Sequence, residues 1–435
     1  MRSLAFVGES ISPKELSFEL PSSKSISNRL LIIEYLAGKS QQVSNLSTSD
    51  DTVLLNRSLR KIESRKNSAK CCFVATPLED DFMELDCGNA GTTCRFLTAL
   101  LSITPGNRML TADKRMEDRP LKPLIEILKQ LGAELEQQNE NTIFPLKITG
   151  KPLQGGQTIS LPADLSSQFV SALSLIAPYM EKGLCLELSP SQVSRPYIDM
   201  TIALMRENGA ELEMRNNLLR IAPRPYLFRP VVVEADWSAA AFAYSLVAIR
   251  KIKGLRIKGL KAHSLQGDSV VAEMFAKYFN VMTEYFEDYV VLSYHEATSE
   301  QKKPVIIDFK HCPDLFLPVL ITAVCLDIPF EFQGLETLSY KESDRLGGAI
   351  AELKKVGVEI AFTQGKAVRL NCESMVRSDI IEVEIETYND HRMAMAFALL
   401  AGKYGIIRIK NPDCVSKSFP AYWTELSKYF RIDFR

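Results

Sequence analysis

Runs of apolar residues recur along the chain at a nearly constant interval. Each run spans about eleven residues rich in Ala, Leu, Ile, Val and Phe, opens on a small or polar residue, and follows the previous run by 65 to 77 residues. Six such runs begin near Asn28, Thr93, Gln168, Ser238, Leu315 and His391. Their length favours helix over strand, and apolar residues on most faces indicate helices that are buried on most faces.

A second type of segment lies between these runs and predicts an amphipathic helix followed by a short strand. Copies start at Leu128, Leu204 and Glu352, and each has a Gly where the helix should end. A fourth copy has Asn280 at that place. Gly and Asn are typical of left-handed helix caps. The runs VVVEA, VIIDF, EVEI and IIRIK are typical of strands.

Together these segments predict an α/β (α+β) protein made of six mixed units of about 70 residues each. A chain of 435 residues is too long for one core. We expect two similar domains, residues 21–236 and residues 1–20 with 237–435, the first twenty residues adding a strand to the second domain. The alternative is one irregular α/β protein whose internal similarity is accidental.

Composition excludes several classes of function. The net charge of −1 gives no general attraction to nucleic acid or membranes. No apolar run is long enough to span a bilayer, and the four histidines lack metal-ligand spacing. The nine cysteines contain no C-x-x-C pair and are an odd number, which indicates unpaired thiols in a reducing compartment.

Cations stand at the start of the apolar helices. Ser, Asn and Asp at these places are explained by helix capping, but Lys24, Arg29, Arg95 and Arg392 are not. Buried cations are costly unless paired, and no acidic partner is obvious nearby in the sequence. We therefore expect an anionic ligand at these helix starts. Further cations lie in loop-like segments: Lys114, Arg115, Arg119, Arg195, Lys341, Arg345 and Lys417.

Several known chemistries lack their sequence signatures. There is no G-x-x-x-x-G-K-[ST] phosphate-binding loop and no G-x-S-x-G nucleophile elbow. The glycines at 150–156 do not form the dinucleotide-binding pattern. A small substrate with several negative charges fits the distribution of cations better.

At this point the sequence resembles a known family, the EPSP synthases (3-phosphoshikimate 1-carboxyvinyltransferases), which are enolpyruvyl transferases. The resemblance runs from about Pro21 to Tyr422. It is carried by SSKSISNRLL, LDCGNAGTTCRFL, KRMEDRP, LSSQFVSAL, SRPYID, CPDLFLPVL, KESDRL, YNDHRMAMAFALL and CVSKSFP, in the family's order.

The resemblance implies two similar domains, each with three βαββαβ units around a pseudo-threefold axis, and an active site in the cleft between them. It implies transfer of the enolpyruvyl group from phosphoenolpyruvate to the 5-hydroxyl of shikimate 3-phosphate. The first domain would mainly bind shikimate 3-phosphate, and the second would clamp phosphoenolpyruvate and supply the acid and base. No metal or organic cofactor and no nucleic-acid or membrane partner is expected, and the enzyme would be a cytoplasmic monomer.

The resemblance also assigns roles to individual residues. Asp314 would be the base, and Glu342 and Lys24 would move protons at the reacting carbon and the leaving phosphate. Shikimate 3-phosphate would meet Lys24, Ser25, Arg29, Ser166, Ser167, Gln168, Ser194, Tyr197, Asp314 and Lys341. Phosphoenolpyruvate would meet Lys24, Asn89, Gly91, Arg95, Arg119, Gln168, Arg345, Arg392 and Lys417.

The chain departs from the family's pattern at Thr337, Ser339 and Ala421, where other members have Asn, Arg or Lys, and Asp, but none of these departures removes a group that the reaction requires. It retains Gly91, where a larger residue would crowd phosphoenolpyruvate or the inhibitor glyphosate, so we expect sensitivity to glyphosate. Two alternatives stay open. One is the sister enzyme that acts on UDP-N-acetylglucosamine, although its reactive Cys has no counterpart in 112–119. The other is a non-catalytic anion-binding relative.

Overall fold

A computed structural model of the chain describes residues 3–10, 15–71, 82–139, 141–162, 166–190, 193–296, 305–363, 367–370 and 382–434. Residues 23–233 form one compact unit, here called the N unit. Residues 1–22 and 234–435 form a second, the C unit. No helix in the described part of the chain combines the length and the apolarity needed to cross a bilayer.

The α-helices are α1 (Lys24–Leu36), α2 (Asp50–Cys71), α3 (Gly91–Ile103), α4 (Lys122–Gln130), α5 (Ser167–Ile176), α6 (Arg195–Glu207), α7 (Trp237–Arg250), α8 (Val271–Phe279), α9 (Phe316–Cys325), α10 (Arg345–Lys355), α11 (His391–Ala398), α12 (Ala401–Tyr404) and α13 (Tyr422–Leu426). The strands are β1 (Ser3–Ser10), β2 (Val43–Ser44), β3 (Met83–Asp86), β4 (Gly106–Thr111), β5 (Glu134–Asn139), β6 (Thr142–Gly150), β7 (Thr158–Leu161), β8 (Leu184–Leu188), β9 (Leu212–Arg215), β10 (Leu218–Ile221), β11 (Val231–Val232), β12 (Lys253–Lys258), β13 (Val281–Tyr285), β14 (Tyr289–Tyr294), β15 (Val305–Asp308), β16 (Phe330–Gln333), β17 (Ile360–Thr363), β18 (Ala367–Leu370), β19 (Glu382–Ile385), β20 (Ile406–Lys410) and β21 (Phe430–Phe434).

One sheet pattern repeats in both units. The N unit has sheets of order β3-β4-β6-β5 and β7-β8-β10-β9, and the C unit has β15-β16-β18-β17. In each, the first two strands are parallel and the other pairs are antiparallel. The α/β class predicted from the sequence is therefore confirmed, and so is the repetition of a mixed unit.

The order of elements within this unit corrects the expected βαββαβ. In all three complete copies the chain runs βαβαββ. A parallel pair needs a crossover connection, which the first helix supplies, whereas the last two strands are antiparallel and need only a short turn. Both helices therefore precede the final hairpin.

The start of the chain completes a sheet of the C unit. Strand β1 lies between β20 and β21 in the order β19-β20-β1-β21, and it is antiparallel to both neighbours. A little later Ser17 forms a parallel bridge with Arg256 of β12. The expectation that the first residues add a strand to the second half of the chain is confirmed.

The six apolar runs form the central helices of the two units. In the N unit α1, α3 and α5 pack against one another, and in the C unit α7 and α11 both pack on α9. Their side chains are buried on nearly all faces, as the sequence predicts. Each fully buried Leu, Ile or Phe stabilises the fold by roughly 1.5–3 kcal/mol.

The predicted left-handed caps are present after the amphipathic helices. Backbone φ is +95° at Gly132, +83° at Gly209, +79° at Gly357 and +56° at Asn280. These residues end α4, α6, α10 and α8 and turn the chain into the following strand.

Candidate active site

The starts of the central helices differ in how their N–H groups are satisfied. Side chains of Ser23, Ser166, Asp236 and Asp390 cap α1, α5, α7 and α11. By contrast, α3 begins at Gly91 after Ala90 and has no side-chain cap. An uncapped helix N-terminus is well suited to an anion. The first N–H groups of α3 can therefore bind the anionic ligand that the sequence predicts.

In the N unit, Arg29 connects three helices. Its Nε donates to Thr201 Oγ1 at 2.7 Å, its Nη2 donates to Ser171 Oγ at 3.1 Å and to the Tyr197 carbonyl at 3.2 Å, and its Nη1 donates to the Ser25 carbonyl at 2.9 Å. The residue is 2% exposed, and burial lowers the pKa of the guanidinium to about 10, although Tyr197 acts in the opposite direction. These partners are all neutral, and they hold α1 against α5 and α6.

Lys24, the first residue of α1, lies near a carboxylate. Its Nζ is 3.8 Å from Oδ2 of Asp51, a buried residue in the first turn of α2. The Asp51 carbonyl also accepts a hydrogen bond from Thr93 Oγ1 of α3 at 2.6 Å. Asp51 therefore connects the starts of α1, α2 and α3.

A second cluster in the N unit surrounds the uncapped start of α3. Arg119 Nη1 lies 3.5 Å from the Asn89 carbonyl, and a Cβ placed on Gly91 would lie 2.6 Å from the guanidinium of Arg119. Arg95 Nη1 donates to Gln168 Oε1 at 2.6 Å, which connects α3 to the start of α5. Gly91 is therefore the residue that lets the arginine lie flat on the helix start.

The remaining residues expected in the N unit lie at the starts of α5 and α6. Ser166 caps α5, and Ser167 is its first residue. Ser194 precedes α6 with φ +53°, a left-handed conformation that costs a non-glycine residue energy. Its buried position and strained backbone are typical of a functional residue. Tyr197, in the first turn of α6, is half-buried.

In the C unit, one guanidinium binds three carboxylates. Arg345, at the start of α10, is 1% exposed, and its Nε, Nη1 and Nη2 contact Asp390 at 2.8 Å, Asp314 at 2.7 Å and Glu342 at 2.6 Å. Burial alone would lower its pKa, but the three carboxylates outweigh burial and raise it. Arg345 thus stays charged and fixes the geometry of all three acids.

Asp314 accepts from further cations. Arg392 Nη2 lies 3.1 Å from Asp314 Oδ2, and Lys341 Nζ lies 3.6 Å from Asp314 Oδ1. Burial raises the pKa of Asp314, but Arg392, Lys341 and Arg345 together bring it well below its usual range. Asp314 is therefore ionised and can only accept protons and hydrogen bonds.

Glu342 lies between two cations. Its Oε2 contacts Arg345, and its Oε1 is 3.9 Å from Lys417 Nζ, which is nearly buried. Asp390 supports the same cluster from the start of α11, where Oδ1 accepts from the Arg392 N–H at 2.9 Å while Oδ2 binds Arg345. These residues form a compact network of lysines, arginines and carboxylates within the C unit.

The premise that these cations lack internal acids needs correction. Lys24 has Asp51, Arg392 has Asp314, and Arg345 and Lys417 have Glu342. Each of these pairs except Arg345 with Glu342 joins residues more than twenty positions apart, and sequence proximity does not reveal such contacts. The C-unit cluster is consequently close to balanced in charge.

Three acids of the site were missed from the sequence: Asp51, Asp390 and Asp268. Asp51 resembles an ordinary acid of a first helical turn, and Asp390 resembles an ordinary cap. Asp268 is a buried carboxyl in a 3-10 helix before α8, with no motif around it. Asp390 was visible as a helix-start residue, but its bond to Arg345 was not.

Comparison with known proteins shows the family of the chain. The family model described as EPSP synthase (3-phosphoshikimate 1-carboxyvinyltransferase) matches residues 11–426. The chain belongs to the EPSP synthase family. The match includes all site residues expected from the sequence, in both units.

Relatives within the EPSP synthase family are similar over nearly their full length. A 3-phosphoshikimate 1-carboxyvinyltransferase of Bacteroides fragilis is 39% identical over 413 residues, which are 95% of this chain and 94% of the relative. One of Haemophilus influenzae is 32% identical over 437 residues, covering 96% and 97%.

Solved structures share the fold at lower identity. An EPSP synthase from Acinetobacter baumannii covers 100% of both chains with a TM-score of 0.76 and 20% identity. The enolpyruvyl transferase NikO from Streptomyces tendae covers 100% of this chain and 99% of its own, with a TM-score of 0.71 and 15% identity. These two likenesses concern the fold alone.

Proposed function

We propose that this enzyme transfers the enolpyruvyl group of phosphoenolpyruvate to the 5-hydroxyl of shikimate 3-phosphate, giving 5-enolpyruvylshikimate 3-phosphate and phosphate. Membership of the family and the names of its relatives support the reaction. The observation that carries the proposal is the ionised carboxylate of Asp314, which three cations hold beside Glu342. The reaction belongs to the synthesis of chorismate and aromatic amino acids.

The two units divide the binding in this proposal. The N unit mainly holds shikimate 3-phosphate, whose ring and phosphate meet Ser166, Ser167, Gln168, Ser194 and Tyr197. Arg29 is already hydrogen-bonded within the unit, so its contribution includes holding the walls of this site in place.

Phosphoenolpyruvate meets cations from both units in this proposal. Arg95 and Arg119 of the N unit lie at the uncapped start of α3, which favours a phosphate. Arg345, Arg392 and Lys417 of the C unit supply the rest of the clamp. Guanidinium groups bind phosphate and carboxylate in a bidentate manner, which fixes the orientation of the substrate.

The chemistry begins with the transfer of a proton to the methylene carbon of phosphoenolpyruvate, which makes C2 electrophilic. The 5-hydroxyl oxygen adds to C2 while its proton passes to Asp314, giving a tetrahedral intermediate. The C–O bond to phosphate then breaks, and a methyl proton leaves to restore the double bond. Glu342 and Lys24 are the groups proposed for proton transfer at carbon and at the leaving phosphate. Placed acids and bases contribute about 10²–10⁴-fold, and positioned cations supply much of the rest.

The proposal includes a single cleft in which both units act on one pair of substrates, with closure of the units excluding water. It also includes a monomeric state and a location in the cytoplasm, and the free cysteines of the described residues support the location. Light scattering of the purified protein and cell fractionation test these two points.

The reaction itself is tested by phosphate release. The purified enzyme, phosphoenolpyruvate and shikimate 3-phosphate should release one phosphate for each 5-enolpyruvylshikimate 3-phosphate formed, without added metal. UDP-N-acetylglucosamine in place of shikimate 3-phosphate should give no release. Release with the nucleotide sugar alone would overturn the proposed acceptor.

A further inference from the structure

Asp268 is a buried carboxyl that the scheme above does not use. It lies in the 3-10 helix Gly267–Val270 and is 3% exposed. Its Oδ2 accepts a hydrogen bond from Ser238 Oγ in the first turn of α7. Its Oδ1 is buried and has no hydrogen-bond partner among the described residues. A buried carboxyl oxygen without a partner is costly, so this group needs an explanation.

Asp268 lies beside the acid–base cluster of the C unit. Its 3-10 helix and the 3-10 helix Pro313–Leu315, which carries Asp314, both pack against α7. The charges that act on Asp268 most strongly include those of Asp314 and Arg392. Arg392 in turn binds Asp314 through Nη2 and donates from Nη1 to the Asp314 carbonyl at 3.3 Å. The guanidinium of Arg392 is therefore attracted by the carboxyls of both Asp268 and Asp314.

The two carboxyls differ in protonation. Burial, with Asp314 and Asp236 adding to it, raises the pKa of Asp268 to about 7, although Ser238 and Arg392 act in the opposite direction. Burial raises the pKa of the Cys312 thiol, and the negative charge of Asp268 acts in the same direction. The charged residues of α8, Glu273 and Lys277, are exposed instead. At neutral pH Asp314 is ionised, whereas Asp268 is part protonated.

We propose that Asp268 is a positioning residue that controls, through Arg392, how firmly the base Asp314 is held. When Asp268 is neutral, Arg392 is attracted to Asp314 alone, which lowers the proton affinity of the base. When Asp268 ionises, it competes for the guanidinium, and Asp314 becomes a stronger proton acceptor. Two carboxyls with opposed protonation states are a common basis for acid–base division of labour. This inference rests on the proposed function.

The sign of the effect follows from the raised pKa. Asp268 loses its proton as pH rises through about 7, so the base should strengthen over the same interval. The phosphates of both substrates also titrate near pH 6, so the quantity that isolates Asp268 is the ratio of kcat/KM for phosphoenolpyruvate in the wild type to that in Asp268→Asn, measured by phosphate release. We expect this ratio to rise severalfold between pH 6 and 8.

Asp268→Asn keeps the shape of the side chain but removes the titration. We expect its kcat/KM to be close to that of the wild type at pH 6 and to fall progressively below it toward pH 8, since the substrate phosphates titrate alike with both enzymes and only the wild type has a titrating carboxyl at residue 268. Asp268→Glu should restore the rise. Glu273→Gln, which removes an exposed carboxylate of the adjacent helix, is the matched control and should leave the wild-type profile unchanged.

Ser238→Ala provides a second variant in case Asp268→Asn does not fold. Ser238 stabilises the ionised form of Asp268, so its removal should move the rise to higher pH. An Asp268→Asn profile parallel to that of the wild type, or a Ser238→Ala profile that coincides with that of the wild type, would overturn the inference. A wild-type enzyme that releases no phosphate from the two substrates would instead overturn the proposed function.

Discussion

At the scale of single residues, Gly91 has the sharpest steric constraint of the proposed site. A Cβ there would lie 2.6 Å from three guanidinium atoms of Arg119. The arginine is the far end of a flexible side chain, so Gly91→Ala should move Arg119 rather than unfold the unit. Weakening one charge-assisted hydrogen bond costs about 1.5–3 kcal/mol, which predicts a KM for phosphoenolpyruvate raised about 10- to 100-fold in steady-state assays.

A double-mutant cycle tests that explanation of Gly91. If the alanine acts by displacing Arg119, adding Gly91→Ala to Arg119→Ala should change KM little further. Additive losses in the double variant would show that the methyl group acts by another route.

A substitution at Lys417 tests whether cations of the C unit bind phosphoenolpyruvate. Lys417→Ala removes a nearly buried cation 3.9 Å from Glu342. Loss of one partner from a buried charge pair costs roughly 2–5 kcal/mol, so phosphoenolpyruvate should bind at least tens of times more weakly in calorimetric titrations. The control is Lys428→Ala, which removes a more exposed lysine paired with Glu425 in the same unit and should bind normally. Equal affinities in the two variants would place Lys417 outside the site.

A substitution at Asp314 tests the proton-transfer step separately from substrate binding. Asp314→Ala removes the ionised carboxylate that three cations hold, and proton transfer by a placed base contributes about 10²–10⁴-fold. We expect kcat to fall by that factor while shikimate 3-phosphate still binds, as measured by single-turnover rates and calorimetry. Unchanged turnover would show that another group is the base.

The sequence pattern predicts the cations of the site more completely than it predicts the acids. Lys24, Arg95 and Arg392 stand out because a cation at an apolar helix start has few ordinary explanations. Asp51 and Asp390 do not, because an acid in a first turn is ordinary. Their ion pairs join residues 27 and 45 positions apart, and such contacts depend on packing that no local pattern encodes.

At the scale of elements, one side chain at the start of α11, that of Asp390, has two roles. Asp390 caps the helix through Oδ1 and holds Arg345 through Oδ2. Asp390→Ala therefore loses a cap and leaves a buried guanidinium with fewer partners, which should cost about 3–5 kcal/mol. Asp344→Ala is the matched control, because Asp344 caps α10 from an exposed position and its loss should cost about 1 kcal/mol. Urea unfolding compares them, and equal losses would contradict the double role.

The central helices and their caps were predictable, whereas the strand order was not. Periodicity and the residues Gly132 and Asn280 mark helix type and helix ends locally. The place of β1 between β20 and β21 depends on pairing across some 400 residues.

At the scale of the whole molecule, the chain leaves the C unit after residue 22 and returns to it at residue 234. The two crossing segments lie side by side: Ser22 pairs with Ala235, and the Pro21 carbonyl accepts from the Asp236 N–H at 2.9 Å. Glu234 is fixed by Gln266, whose Nε2 donates to it at 2.6 Å. The contacts that fix these two crossing segments all lie within the C unit.

Because the proposed cations come from both units, the account depends on a single pair of anionic substrates meeting all of them. A crystal structure with shikimate 3-phosphate and an unreactive analogue of phosphoenolpyruvate measures this directly. The account predicts that Lys24 and Arg119 of the N unit and Arg392 and Lys417 of the C unit all lie within hydrogen-bonding distance of the two ligands. Ligands bound to one unit alone, with the cations of the other turned away, would contradict it.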